Sequence, residues 1–204
     1  MITVRWMNNP LYVACDWLVK LAYMHFLWVI FTALGGFVAG LFPATVALHT
    51  LVGRLARGES TYEILPTFFA IWKQEFIRSN KYALVFFLAF GLFFVNFNIM
   101  TVFPDELLFF MMTGMGISVF FFAIIVSFFF PVYVSRPDLS FFKMIALSLF
   151  LPFRHMKSML IFLGGILLLL ALYYFLPMLG FFWGISLLAC ITTLITTKEL
   201  TPIK

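Results

Sequence analysis

Residues 158–197 read SMLIFLGGILLLLALYYFLPMLGFFWGISLLACITTLITT, forty positions without one charged side chain. As a single helix this stretch would be about 60 Å long, twice the ~30 Å hydrocarbon thickness of a bilayer. It must therefore turn back on itself, and Pro177 and Gly180 mark the place. Three more runs are equally free of charge: Leu21–Gly53, Tyr82–Pro104 and Leu107–Ser135. Each exceeds the roughly 20 apolar residues that a bilayer-crossing helix needs. Soluble core helices are rarely apolar all round over such lengths. Backbone N–H and C=O groups in hydrocarbon must find partners within the protein, which uninterrupted helix provides. The fold class that follows is all-α, a polytopic transmembrane helix bundle.

Composition supports that class. Hydrophobic residues make up 64% of the 204 positions and charged residues 10%, with a mean hydropathy of +1.11. That is too little charge to coat a soluble surface. The length fits one membrane domain. The net charge of +5 comes from thirteen Lys and Arg scattered between apolar runs, with no basic block of the kind nucleic acid requires. Nucleic acid is accordingly not expected as a partner; the lipid bilayer is. Cys15 and Cys190 stand near opposite ends of the chain, and Cys190 lies in an apolar run, so both read as packing residues. The first apolar run is too long for a signal-peptide core, which argues against a cleaved leader.

Five spans are expected, at about 21–42, 83–102, 108–134, 159–175 and 180–196. Pro43 ends the first, and Phe103-Pro104-Asp105-Glu106 separates the second from the third. Three amphipathic helices, interfacial or re-entrant, fill the remainder at about 43–57, 61–80 and 138–153. In the first of these, Ala44, Ala47, Leu48, Leu51 and Leu55 keep a helical rhythm, with His49, Thr50, Arg54 and Arg57 largely off that face. Pro43 suits its first turn and Gly58 its end. Ser60-x-x-Glu63 has the spacing of a capping box before the second. With five crossings, 43–81, 136–157 and the C-terminal tail share one side and hold eleven of the thirteen basic residues. The positive-inside rule then puts the C-terminus in the cytoplasm and the N-terminus outside, in the cell membrane. Arg78-x-x-Lys81-x-x-Leu84 and Arg154-x-x-Lys157-x-x-Leu160 each precede a two-span hairpin, a faint internal echo.

Chemistry is sparse. His25, His49 and His155 lack metal-ligand spacing, and no phosphate loop or nucleophile–base motif occurs. Neither a cofactor nor an enzymatic activity is expected. The predicted spans carry no Asp, Glu, Lys or Arg, which disfavours an ion-coupled carrier. His25, Asn96 and Asn98 are the candidate intramembrane polar residues. The asparagines are two residues apart and so point to different helix faces. Gly36-x-x-x-Gly40 and Gly180-x-x-x-Gly184 permit close helix approach. Pro43, Arg54, Arg57, Gly58 and Glu59 form the candidate contact for a partner or for anionic lipid.

Trp28-x-x-Phe31-Thr32, Gly35, Gly36 and Gly40, Phe42-Pro43-Ala44-Thr45-x-Ala47-Leu48, Arg57-Gly58-Glu59 and Phe68-Phe69-x-x-Trp72-Lys73-x-x-Phe76 together resemble the YesL-like family. These are bacterial integral membrane proteins carrying domain of unknown function 624. The resemblance is strongest over the first 80 residues. It implies no catalytic residues. It does imply an accessory role in carbohydrate uptake or sensing, beside ABC-type sugar permease or sensor subunits. The alternative is a small stand-alone membrane transporter or channel.

Overall fold

The computed structural model describes residues 10–59, 63–100, 104–154 and 156–200. Ser60 of the expected capping box, His155 and Lys204 lie outside them. Among the described residues there are seven helices and no strand. They are α1 (Pro10–Leu34), α2 (Val38–Ala56), α3 (Ile64–Met100), α4 (Asp105–Ser135), α5 (Phe141–Arg154), α6 (Met156–Phe175) and α7 (Pro177–Leu200). All but α5 have the length and apolarity of a membrane span. The expected all-helical, polytopic bundle is what the chain forms.

The expected first span, 21–42, is not one helix. The chain reverses at Gly35-Gly36-Phe37, where Gly36 (φ 76°) and Phe37 (φ 60°) both adopt left-handed backbone. Glycine does so at no steric cost, whereas phenylalanine requires its surroundings to hold it there. The Phe37 N–H donates to the Thr32 carbonyl at 2.9 Å and closes the turn. Gly35 and Gly40 then meet backbone to backbone, with no room for a Cβ on either. Seventeen residues apart, Trp28 Nε1 donates to Thr45 Oγ1 at 3.0 Å, so α1 and α2 run antiparallel.

Pro43 does not end a helix either; it sits inside α2. Nor is 43–57 an interfacial amphipathic helix. Of the 18-residue window in α2, 72% is buried, against 39% or less in every other candidate span. Small residues explain why. Gly40, Ala44, Ala47 and Gly53 let neighbouring helices close in on several sides. α2 thus forms the centre of the bundle, touching α1, α3, α4 and α7.

The expected amphipathic piece 61–80 and span 83–102 are continuous as α3. No Gly or Pro falls between Pro66 and Gly91 to break it. Thirty-seven residues make about 55 Å of helix, well beyond the hydrocarbon thickness. Further along, Pro177 opens α7 one residue after α6 ends. α5, with exposed Phe142 and Phe150, lies against α4 through the Phe129–Phe141 ring contact and reaches Tyr82 of α3 through the same Phe141. Two aromatic-rich cores result, and both include residues of α2. One centres on Phe128, Phe129 and Phe130; the other on Leu48, Leu51 and Phe68.

Candidate functional site around helix α2

A proline within a helix removes an N–H, so the carbonyl four residues back loses its partner. For Pro43 that carbonyl belongs to Ala39. Asn80 Nδ2, on α3, donates to the Ala39 oxygen at 2.8 Å. The same amide also donates to its own helix at Phe76 O, 2.7 Å away. A side chain from the neighbouring helix thereby takes over the bond that the proline removed.

Below this point a cleft of about 270 Å³ opens beside α2. Leu41, Phe42, Thr45 and His49 form its floor. Phe86, Phe87 and Phe90 of α3 form one wall, and Ile185, Leu188 and Thr192 of α7 another. Phe122, Val126 and Phe130 of α4 close the back. Among the described residues no Cα of α3 lies within 8 Å of a Cα of α7, so these two walls stand apart. The few hydroxyls in the lining are engaged with backbone. Thr45 Oγ1 donates to Leu41 O, Thr192 Oγ1 to Leu188 O and Ser127 Oγ to Ala123 O. His49 is buried, its Nδ1 2.8 Å from Thr193 Oγ1 and its ring stacked on Phe130 at 5.8 Å. A water needs two to four polar partners, and this lining offers few.

Three turns before Phe86 on the same face of α3, Glu75 is buried against α4. Tyr133 Oη donates to Glu75 Oε2 at 2.5 Å. Arg78 Nη1 lies 3.4 Å from Glu75 Oε1, with its guanidinium 5.4 Å from the centre of the Tyr133 ring. One carboxylate is thus held by a phenol donor and a half-exposed cation. Sequence reading overlooked it. The signal was present, because Phe68, Glu75, Ser79, Ala83 and Phe86 form the buried stripe of α3 at helical spacing.

The sequence candidates scatter. Pro43 is in the bundle centre, while Arg54, Arg57, Gly58 and Glu59 finish α2. There the Gly58 N–H donates to Leu55 O and the Glu59 N–H to Arg54 O, with Gly58 at φ 76°. This is the double closure by which a left-handed glycine ends a helix. Arg57 Nε pairs with Glu59 Oε1 at 2.7 Å on the surface. His25 is buried on α1, stacked on Trp28 and pressed against Gly184, where a Cβ would come within 2.8 Å of its ring. Asn96 and Asn98 are exposed on α3 and donate to Leu92 O and Phe94 O of their own helix. The structure brings neither asparagine to the α2 cleft. Between α4 and α5, Arg136 holds the Asp138 carboxyl below the ordinary carboxylate range through their hydrogen-bonded pair. Among the described residues no group of three His, Cys, Asp or Glu could hold a metal.

A long apolar bundle, packed by aromatic rings and pinned by single polar contacts, defines a polytopic helical membrane protein. Residues 21–97 match the family model described as "Protein of unknown function, DUF624". Similarity to "Uncharacterized protein YesL" of Bacillus subtilis (strain 168) runs over 199 residues at 29% identity, 97% of this chain and 93% of the relative. These matches bear out the resemblance to the YesL-like, DUF624 family. Two shorter matches are with proteins of the same organism. "Uncharacterized protein YteU" is 41% identical over 66 residues, 32% of this chain and 30% of the relative. "Uncharacterized protein YesV" is 33% identical over 79 residues, 39% and 38% of the two chains. No solved structure matches the chain.

Proposed function

We propose that this protein is a non-catalytic accessory subunit of carbohydrate uptake or sensing in the cell membrane. The resemblance to the YesL-like family supplies the context. The observation that carries the reading is the filling of the interior. The α2 cleft is walled by Phe, Val, Leu and Ile, a poor path for a polyhydroxylated solute. Two pairs of polar side chains at the bundle centre are occupied with each other, Glu75 with Tyr133 and His49 with Thr193. The end of α2, where Arg57–Glu59 are exposed beside half-buried Arg54, is where a partner subunit docks in this reading.

Orientation follows from the α1–α2 hairpin. An antiparallel pair puts residues 10 and 56 on one side, and Arg54 and Arg57 mark that side as cytoplasmic. In this reading the N-terminus joins the C-terminus in the cytoplasm. The N-out expectation rested on a continuous first span, which the turn at 35–37 replaces.

Mild detergent extraction from sugar-grown cells should recover ABC-type permease or sensor subunits with the tagged protein. Arg54→Gln with Arg57→Gln should weaken that recovery while the protein still accumulates. If no such subunit is recovered and deletion leaves sugar uptake unchanged, the proposal fails. Sugar flux through the purified protein alone in liposomes would favour the stand-alone transporter.

A further inference from the structure

We propose that the α2 cleft is a binding site for one acyl chain of a membrane glycerolipid, entering between α3 and α7. Three observations select this occupant. First, the α3 and α7 walls stand apart, with no Cα pair within 8 Å among the described residues, and the lining residue Phe90 is 64% exposed. Secondly, the size fits one flexible chain. A volume of about 270 Å³ falls just under the ~300 Å³ at which small-molecule pockets begin. From Leu41 to His49 the floor runs about 12 Å at 1.5 Å per residue. Thirdly, the cleft is graded along its length. His49 and Thr192 stand at one end, next to the His49–Thr193 bond. Leu41, Phe90, Phe122 and Ile185 stand at the other.

α2 and α7 descend side by side from the apolar end to the polar one. Beyond the polar end they carry Arg54 and Lys198, five and six residues on from His49 and Thr192. A glycerolipid matches this order, with its headgroup toward the basic side, its ester beside His49 and its hydrocarbon among the phenylalanines. His49 offers a ring nitrogen besides the one facing Thr193, and a neutral imidazole can donate from it to an ester carbonyl. A sugar would leave its hydroxyls unpaired against this lining, at a cost for each one. The site is independent of the accessory reading, because a lipid can occupy it whether or not a partner docks at Arg54–Glu59.

The test uses the full-length protein in liposomes of phosphatidylglycerol and phosphatidylethanolamine, with a trace phospholipid bearing a mid-chain diazirine. After photolysis, labelled peptides are mapped. Label should concentrate on the peptides holding Phe87, Phe122 and Leu188, and unlabelled lipid of the same class should compete it to a plateau. Leu188→Trp, which fills the cleft, should lower that label at least tenfold. Val95→Trp, on an exposed face of α3, should leave it unchanged. His49→Leu should raise the half-competing lipid fraction about fivefold, the worth of one hydrogen bond. Label spread over the outer faces in proportion to their exposure, with no saturation in the unmutated protein, would overturn the proposal. The competition on the unmutated protein decides the matter even if a variant fails to fold.

Discussion

Replacing Asn80 by Ala removes the donor that stands in for the N–H missing at Pro43. The Phe76 carbonyl loses little, because as part of α3 it keeps the Asn80 backbone N–H. The Ala39 carbonyl loses the Asn80 donor that replaces the missing N–H. An orphaned buried carbonyl costs about 1–3 kcal/mol. Ala39 is half-buried, so the low end of that range applies, about 1–1.5 kcal/mol. Hydrogen bonds measured within membrane proteins average about 0.6 kcal/mol, which sets a floor. The informative comparison is a cycle with Pro43→Ala. An alanine at 43 restores the N–H, which donates to Ala39 along the helix as elsewhere in α2. In that background Asn80→Ala should cost about 0.5 kcal/mol or less, the worth of a redundant contact. The coupling is therefore about 1 kcal/mol, several-fold in the unfolding equilibrium. Reversible unfolding in mixed micelles of all four proteins measures it. Costs that add within about 0.3–0.5 kcal/mol would show that the two residues act independently and that the compensation argument is wrong.

Tyr133→Phe deprives the buried Glu75 carboxylate of its phenol donor, and should destabilise by about 1.5–3 kcal/mol. Glu75→Gln should lower the melting temperature less, since a neutral amide tolerates the same burial. At the hairpin, Gly40→Ala places a methyl against the Thr32 and Phe31 carbonyls, which are backbone and cannot yield. It should cost more than about 3 kcal/mol and abolish accumulation, beyond the usual overpacking penalty. Gly184→Ala meets only the His25 ring and should cost about 1–1.5 kcal/mol, read as a modest drop in melting temperature. Because Arg136 lowers the Asp138 pKa from 3.8, any contribution of that pair is present above pH 3.8 and fades as the pH falls through the lower folded value. Asp138→Asn should then leave the melting temperature at pH 7 within error, both partners being well exposed.

The helical, membrane-embedded class was legible because it rests on uncharged length alone. What failed was the reading of single residues as breaks. Pro43 looks like a terminus by local rule, yet a partner 37 positions away supplies what it lacks. Gly36, with Gly40, looked like a packing glycine, yet with Gly35 and Phe37 it reverses the chain. Local sequence does not distinguish these outcomes, since each is decided by contacts from another helix. His49 was read as off the apolar face, because an isolated histidine carries no mark of the threonine 144 positions on that accepts or donates to it. Glu75 was the avoidable miss. Its place on the stripe running from Phe68 to Phe86 was countable, but attention to charge-free spans drew the eye past a carboxylate just outside them.

One pattern ties these residues together. Six helix pairs are joined by polar bridges. α1 meets α2 through Trp28 and Thr45, α2 meets α3 through Ala39 and Asn80, and α3 meets α4 through Glu75 and Tyr133. α2 meets α7 through His49 and Thr193, and α7 returns to α1 through Trp183 Nε1 and the Leu18 carbonyl at 2.8 Å. α6 and α7 share two, Tyr173 to Gly184 O and Ser158 to Glu199. Each is too weak within a membrane, at about 0.6 kcal/mol on average, to supply most of the stability. Their consequence is register. Phenylalanine faces slide past one another at small cost, and lipid tails are as apolar as the helices, so aromatic packing alone leaves alternative alignments close in energy. Shifting a helix by one turn, about 5.4 Å, would break its bridge and bury an unpaired donor and acceptor together. A chain so rich in Phe therefore acquires one arrangement from a handful of polar atoms, and α2, brought to the centre by its small residues, carries three of the bridges.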